Sequence, residues 1–396
     1  MERRKPQHVS GTYLLLWNTA AFAYHQRQSK QDTKNMKIIV TAGGQGTKLW
    51  PYSRTDKPKQ FQPIVGDKSA YQESIETLLQ SFPAEDIFIS TKHKFIRYVS
   101  EQSPQIPLKN YIVEPDIAKD RGPGEGLAFL RLSMEYPDEP FFVVQADCIR
   151  LPEEAFLDMI TAAGKIVANN KKYITGGLKA TEPNLGVDYL QLGEKAPDGC
   201  GQEVYNVTEF LGRRSSYRET KELIENFHIV THCNHSCWYP DLMLDAYKQY
   251  RPDWHDALMK IREAIGKPGE DAAIEAIYSE MEKGATEEVT KNILKGSQII
   301  LLPFKWTDIG TWTSVYEFFE TGDGKANYED GKVITFDTTG SIIKSHSKEK
   351  LLAIAGVQDL IVIDTEDALL VIPKQKMEQI KDLQRLLAEN DDRKYL

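Results

Sequence analysis

The sequence predicts an α/β protein: a layered domain on a buried, largely parallel sheet, followed by a small β-helix-like module. Three observations carry that reading. From Met36 to Asp147, short apolar runs alternate with amphipathic stretches, the pattern of parallel strands joined by right-handed crossovers. The segment TAGGQGTKLWPYSRTDKPKQF, Thr41 to Phe61, sets three glycines directly after the first of these runs. Beyond the glycine- and charge-rich stretch 319–331, very short strands follow one another with turn signals and no helix until the end.

Each element has its own signal. KIIVTA opens the layered domain as a strand, and SAYQESIETLLQSF, Ser69 to Phe82, has helical spacing. DIFIST reads as the second strand, KFIRYVSEQS as a helix and NYIVEP as the third strand. Helical periodicity returns over Gly124 to Tyr136, and PFFVVQAD, Pro140 to Asp147, is a nearly continuous apolar strand. Ligands of such sheets bind beyond the carboxyl ends of the strands, so the glycine loop and Asp147 are expected to share one crevice. Residues 171–240 read as strands with polar connections, 241–295 as mostly helical, and KQKMEQIKDLQRLLAEN as a closing helix. The expected organisation is an extension over 1–35, the layered domain over 36–325 and the module with its helix over 326–396.

Composition excludes several roles. A net charge of −9 argues against nucleic acid or an anionic membrane as partner, while leaving room for a local cationic site. Four cysteines in 396 residues do not make a disulfide framework, which favours a reducing, cytoplasmic setting. The start MERRK…YLLLWNTAAFAY imitates a signal peptide, but its apolar run is short and broken by Asn18. The expectation for 1–35 is a disordered extension or an upstream in-frame start.

The glycine loop suits a phosphate. Gly43, Gly44 and Gly46 allow backbone N–H groups to line a concavity, and Lys48, Arg54, Lys57 and Lys59 supply positive charge. Its spacing is neither GxxxxGK[ST] nor GxGxxG. The whole segment resembles the GGxGTRLxP signature, with its downstream lysine, of the sugar-phosphate nucleotidyltransferases. Trp50-Pro51, Ser53-Arg54 and PKQF are similar to the mannose-1-phosphate guanylyltransferase branch. The family arginine after GT is Lys48 here. VVQADC resembles the family strand ending in ADH, KWTDIGTW resembles WxDxGxW, and EPDIAKDRGPGEGLAF resembles the segment beside the nucleotide base. The tail from Gly356 to Leu383 matches the family's C-terminal β-helix.

The resemblance implies a Rossmann-like, GT-A-like nucleotidyltransferase domain with a mixed central sheet and a left-handed β-helix-like module. It implies transfer of GMP from GTP to a hexose 1-phosphate, most simply mannose 1-phosphate, with release of pyrophosphate. A phosphate nucleophile is already ionised, so positioning and charge neutralisation suffice. Lys48, Arg54, Lys59 and Asp147 would be catalytic, and Gly43, Gly44, Gly46, Thr47, Lys48 and Lys59 would hold the nucleotide. Asp147 and Asp308 would bind Mg²⁺. Self-association through the C-terminal module is a further expectation.

Departures gather in the sugar-facing half. FLGRR stands for FxEKP and leaves Arg213 to bind the sugar phosphate, CNHS stands for WNSG and keeps Asn234, and LGVDYL keeps Gly186. In EEVTKNIL, Glu288 is a candidate sugar contact. HIVTHCNHSC gathers three histidines and two cysteines, which invites a zinc reading. No second cluster completes four ligands, so a core strand with sugar-pocket variation is preferred. Two alternatives stand beside the leading one: the same chemistry on another hexose 1-phosphate, or a catalytically weak homologue that binds a nucleotide sugar and regulates a partner.

Overall fold

A computed structural model describes residues 36–44, 46–319 and 324–396. The expected extension over 1–35 lies outside the described residues, as do Gln45 and part of the 319–331 stretch.

The layered domain is built on a ten-stranded sheet. Its strands are β1 (Lys37–Thr41), β2 (Ile87–Lys92), β3 (Tyr111–Glu114) and β4 (Phe141–Gln145). A short β5 (Cys148–Leu151) leaves the sheet. It continues with β6 (Ile174–Lys179), β7 (Asp188–Lys195), β8 (Val204–Arg213), β9 (Ile229–His232), β10 (Cys237–Trp238) and β11 (Gln298–Leu301). The order is β11-β8-β7-β9-β6-β10-β4-β1-β2-β3. The segment β4-β1-β2-β3 is parallel throughout, while β10 runs antiparallel to β4 and β6, so the sheet is mixed.

The apolar runs face two cores because strand side chains alternate. Ile38 and Val40 of β1, Ile87 and Ile89 of β2, and Phe142 and Val144 of β4 enter one core. Ile39, Phe88, Phe141 and Val143 enter the other. Both faces are covered by helices, including Ala70–Leu79, Glu153–Asn170 and Arg121–Glu135. Within 171–240, read as strands, the chain also forms a helix, Tyr217–Asn226. Ser216 caps it by accepting from the Glu219 N–H, and the Ser-x-x-Glu pattern was the available signal.

The strand β12 (Lys305–Asp308) pairs antiparallel with β5, with Asp308 directly opposite Cys148. The C-terminal module comprises β13 (Tyr328–Asp330), β14 (Val333–Thr339), β15 (Ile342–Ser345), β16 (Leu352–Gln358), β17 (Leu360–Asp364) and β18 (Leu369–Pro373). Parallel ladders β13-β15-β17 and β14-β16 form two faces of a β-helix, and β18 closes one edge antiparallel to β17. A third core joins this module to the layered domain. Leu49, Trp50, Tyr52 and Ile64 after the glycine loop pack with Trp312, Val315, Ile342, Ile361 and Ile372.

Candidate active site

A crevice of about 460 Å³ opens at the carboxyl ends of the parallel strands. Thr41, Lys92, Glu114 and Gln145, the last residues of β1 to β4, all line it, together with Gly43 and Gly44. The glycine loop is held from below. Gln60 Nε2 donates to the carbonyls of Ala42 and Gly44, each at 2.9 Å, and the Ser53 hydroxyl donates to Gly46 O. Gly46 has φ +59°, and a Cβ there would lie 2.3 Å from Lys59 Cγ, so only glycine lets the loop close over that lysine. Thr47 opens a 3-10 turn, Thr47–Leu49.

Asp147 lies in the tight connection between β4 and β5, and Ile309 N–H donates to its carbonyl, which brings Asp308 alongside. The Lys59 ammonium sits between the two carboxylates, 2.9 Å from Asp147 Oδ2 and 3.0 Å from Asp308 Oδ1. Burial works against the charge on Lys59, but both aspartates outweigh it and raise its pKa above the usual lysine value. For Asp147, burial is likewise outweighed by Lys59, and its pKa falls. Asp308 is pushed up by the protein packed around it and by the adjacent Asp147 charge, although half of its side chain meets solvent.

The donor set fits a hard divalent cation. Two carboxylates already share one positive charge, and their side chains are 34% and 52% exposed, which leaves room for water and phosphate oxygens. Lys48 is half-exposed with Nζ 3.5 Å from Glu378 Oε1, and its charge is felt at Asp308.

At the other end, Asn234 adopts φ +52° and donates from Nδ2 to Glu287 Oε1 at 2.7 Å. Glu287 pairs with Arg121 at 3.2 Å, and Arg121 pairs with the buried Glu125 at 3.1 Å. Thr286 Oγ1 donates to Glu125 at 2.6 Å and completes the network. Of the EEVTKNIL pair, it is Glu287 that joins this network. Glu288 pairs instead with Arg251.

Arg54, Arg213 and Gly186 stand elsewhere, and Lys48, paired with Glu378, is outside the crevice lining too. Arg54, expected at the triphosphate, is 6% exposed and donates twice to Asp367, at 2.7 and 2.6 Å, with Nε on Pro51 O. Its guanidinium is committed to the β-helix because the Trp50–Ser53 turn folds into the third core. Arg213 does not line the crevice; it is 70% exposed at the end of β8, 4.0 Å from Asp188. Gly186 lies outside the lining too, in the β6–β7 connection, where its N–H donates to Asn184 Oδ1.

The His/Cys cluster does not converge on a metal. β9 ends at His232, so the strand alternation stops there. His235 and Cys237 are buried in apolar surroundings, while His232 bonds Thr175 Oγ1 at 2.7 Å. Burial lowers the His232 pKa to about 3, which keeps its ring neutral. Among the described residues the group with three converging ligand atoms is Asp147, Cys148 and Asp308.

Sequence reasoning missed Lys92, Glu114, Arg121 and Glu125 as crevice residues. Lys92 and Glu114 could have been found by the rule that singled out Asp147, a charged residue at the end of an apolar strand. Glu114 is 7% exposed, Tyr278 donates to it at 3.1 Å, and Gly124 leaves the space its carboxylate needs. Trp306 Nε1 and His232 Nδ1 are buried without a partner, and both residues line the crevice.

Comparison with known proteins agrees with this architecture. The nucleotidyl transferase family matches residues 37–214, and the MannoseP isomerase/GMP-like β-helix domain matches residues 331–387, together more than half of the chain. A mannose-1-phosphate guanylyltransferase of Escherichia coli is 26% identical over 368 residues, covering 90% of this chain and 75% of that protein. The alginate biosynthesis protein AlgA of Pseudomonas putida is 25% identical over 357 residues, covering 89% and 71%. The fold is shared with a Thermus thermophilus protein described as a mannose-1-phosphate geranyltransferase. That TM-score is 0.78 at 23% identity, over 89% of this chain and 99% of that one. Residues 37–214 thus match a nucleotidyl transferase domain, and residues 331–387 a MannoseP isomerase/GMP-like β-helix domain.

Proposed function

We propose that the chain transfers GMP from GTP to mannose 1-phosphate, forming GDP-mannose and pyrophosphate. One observation carries the reading: the glycine loop and the Lys59-bridged pair Asp147/Asp308 face a single crevice at the carboxyl ends of β1 to β4. Gly43, Gly44 and Gly46 would cradle the triphosphate, with Thr47 beside them. Lys48 and Lys59 would neutralise charge building at the α-phosphorus during in-line attack. Asp147 and Asp308 would hold Mg²⁺, which when bound supplies Lewis-acid neutralisation of the phosphate oxygens. Asn234, fixed by Glu287 and Arg121, would orient the sugar hydroxyls, and Lys92 and Glu114 would face the nucleoside end.

Pyrophosphate release from the full chain with GTP, Mg²⁺ and mannose 1-phosphate tests the proposal. Turnover is expected. GTP binding without turnover on any hexose 1-phosphate would instead support a regulatory, nucleotide-sugar-binding protein. A second substrate reading, another hexose 1-phosphate, is favoured by the positions of Arg213 and Gly186 outside the crevice lining. Faster turnover with glucose 1-phosphate than with mannose 1-phosphate would select it.

A further inference from the structure

We propose that Cys148 makes the carboxylate pair a site for a borderline-soft divalent cation of the Zn²⁺ class, held by Asp147, Asp308 and the Cys148 sulfur. The proposal rests on the same pair that the functional reading assigns to Mg²⁺, and it adds a third donor of different chemistry. Cys148 faces Asp308 directly across the β5–β12 ladder. Its thiol donates to Asp147 Oδ1 at 3.6 Å, and one donor atom from each of the three residues lies within 4.8 Å of the others. The Lys59 ammonium, on a side chain 10% exposed, lies between the two carboxylates, so an entering ion competes with it for the pair.

Magnesium takes oxygen ligands and ignores a thiol, whereas zinc, cobalt and cadmium bind sulfur and carboxylate oxygen together. On binding such an ion the Cys148 sulfur would become a ligand and lose its proton, against its burial and the adjacent Asp147 charge, and the Lys59 ammonium would give up the pair. Three protein ligands leave the fourth tetrahedral position open to water or a phosphate oxygen. A thiophilic cation would therefore compete with Mg²⁺ for this crevice, with selectivity set by one side chain.

The experiment is a titration of the metal-free full chain with Co²⁺, read as thiolate-to-cobalt charge-transfer absorption in the near ultraviolet. A chelator competition with Zn²⁺ runs beside it. The band is expected in the wild type and in Cys233→Ser, and is expected to vanish in Cys148→Ser. Zn²⁺ affinity should fall about tenfold or more in Cys148→Ser and in Asp308→Asn. Mg²⁺ affinity should change less than about twofold in Cys148→Ser. No band in the wild type, or a band that survives Cys148→Ser, overturns the proposal. Should Cys148→Ser fail to fold, the wild-type spectrum and the Asp308→Asn affinity decide. Mg²⁺-dependent turnover without a cobalt band defeats this proposal alone, and a cobalt band without turnover on any hexose 1-phosphate defeats the functional reading alone.

Discussion

Arg54→Ala separates an anchoring role from a phosphate-binding one. The guanidinium makes two charge-assisted bonds to Asp367 and a third to Pro51 O while almost wholly buried. The Arg54 hydrogen bonds lower the Asp367 carboxyl to about 2. Against an ordinary value of about 3.9, that difference corresponds to roughly 2.6 kcal/mol at 1.36 kcal/mol per unit. Asp367 is 47% exposed, so solvent screening reduces the pair to about 1–1.5 kcal/mol. The lost packing and the unmet Pro51 carbonyl bring Arg54→Ala to about 2–3 kcal/mol of destabilisation. Because the folded carboxyl has the depressed pKa, the contribution is complete above about pH 3.9 and is lost as pH falls through about 2. Urea unfolding from pH 5 to pH 2 should therefore show a larger loss in the wild type than in Asp367→Asn. GTP affinity of folded Arg54→Ala should stay within about threefold of wild type, since Arg54 is outside the crevice lining. An unchanged urea midpoint with GTP affinity down tenfold or more would refute the anchor and return Arg54 to the triphosphate.

Further outcomes follow from the same geometry. Asp147→Asn should reduce Mg²⁺-dependent kcat about 10³-fold or more, because it removes half of the carboxylate pair; wild-type turnover would sink the metal assignment. Gly46→Ala forces a Cβ against the Lys59 stem at positive φ and should cost about 2 kcal/mol, with a fall in kcat. A melting temperature and kcat equal to wild type would show that the loop does not close on Lys59. Glu73 is pushed up to about 7 by burial and then by Glu153, so its charged form is disfavoured in the fold. Stability should decline as pH rises from about 4.5 through 7, and Glu73→Gln should remove that slope and gain about 1–2 kcal/mol at pH 8. Parallel wild-type and mutant unfolding curves at pH 5 and pH 8 would contradict it.

The layered half was legible because its determinants are local. The continuous apolar runs in KIIVT and FFVVQ signal strands buried on both faces, and their successive side chains fill two cores. Glycines after a strand and aspartates at strand ends likewise announce a phosphate crevice, since strand ends in a parallel sheet converge there. The C-terminal module could be read as β-helix-like because very short strands follow one another between turn signals without helices; β14 and β16 then pair in parallel.

What tertiary structure decided was the partner of each long charged side chain. Lys48, Arg54 and Lys59 read alike as cations for a triphosphate, yet they meet Glu378, Asp367 and the Asp147/Asp308 pair. Two of those partners lie more than three hundred residues away, on the module that packs against Trp50 and Trp312. The Glu125-Arg121-Glu287-Asn234 network depends in the same way on segments brought together only by the sheet order. By itself the sequence determined the sheet, the glycine loop and the residue types a nucleotidyl transfer needs. Which of those charges face the crevice depended on long-range packing, because a flexible cation is claimed by whichever carboxylate the fold delivers to it.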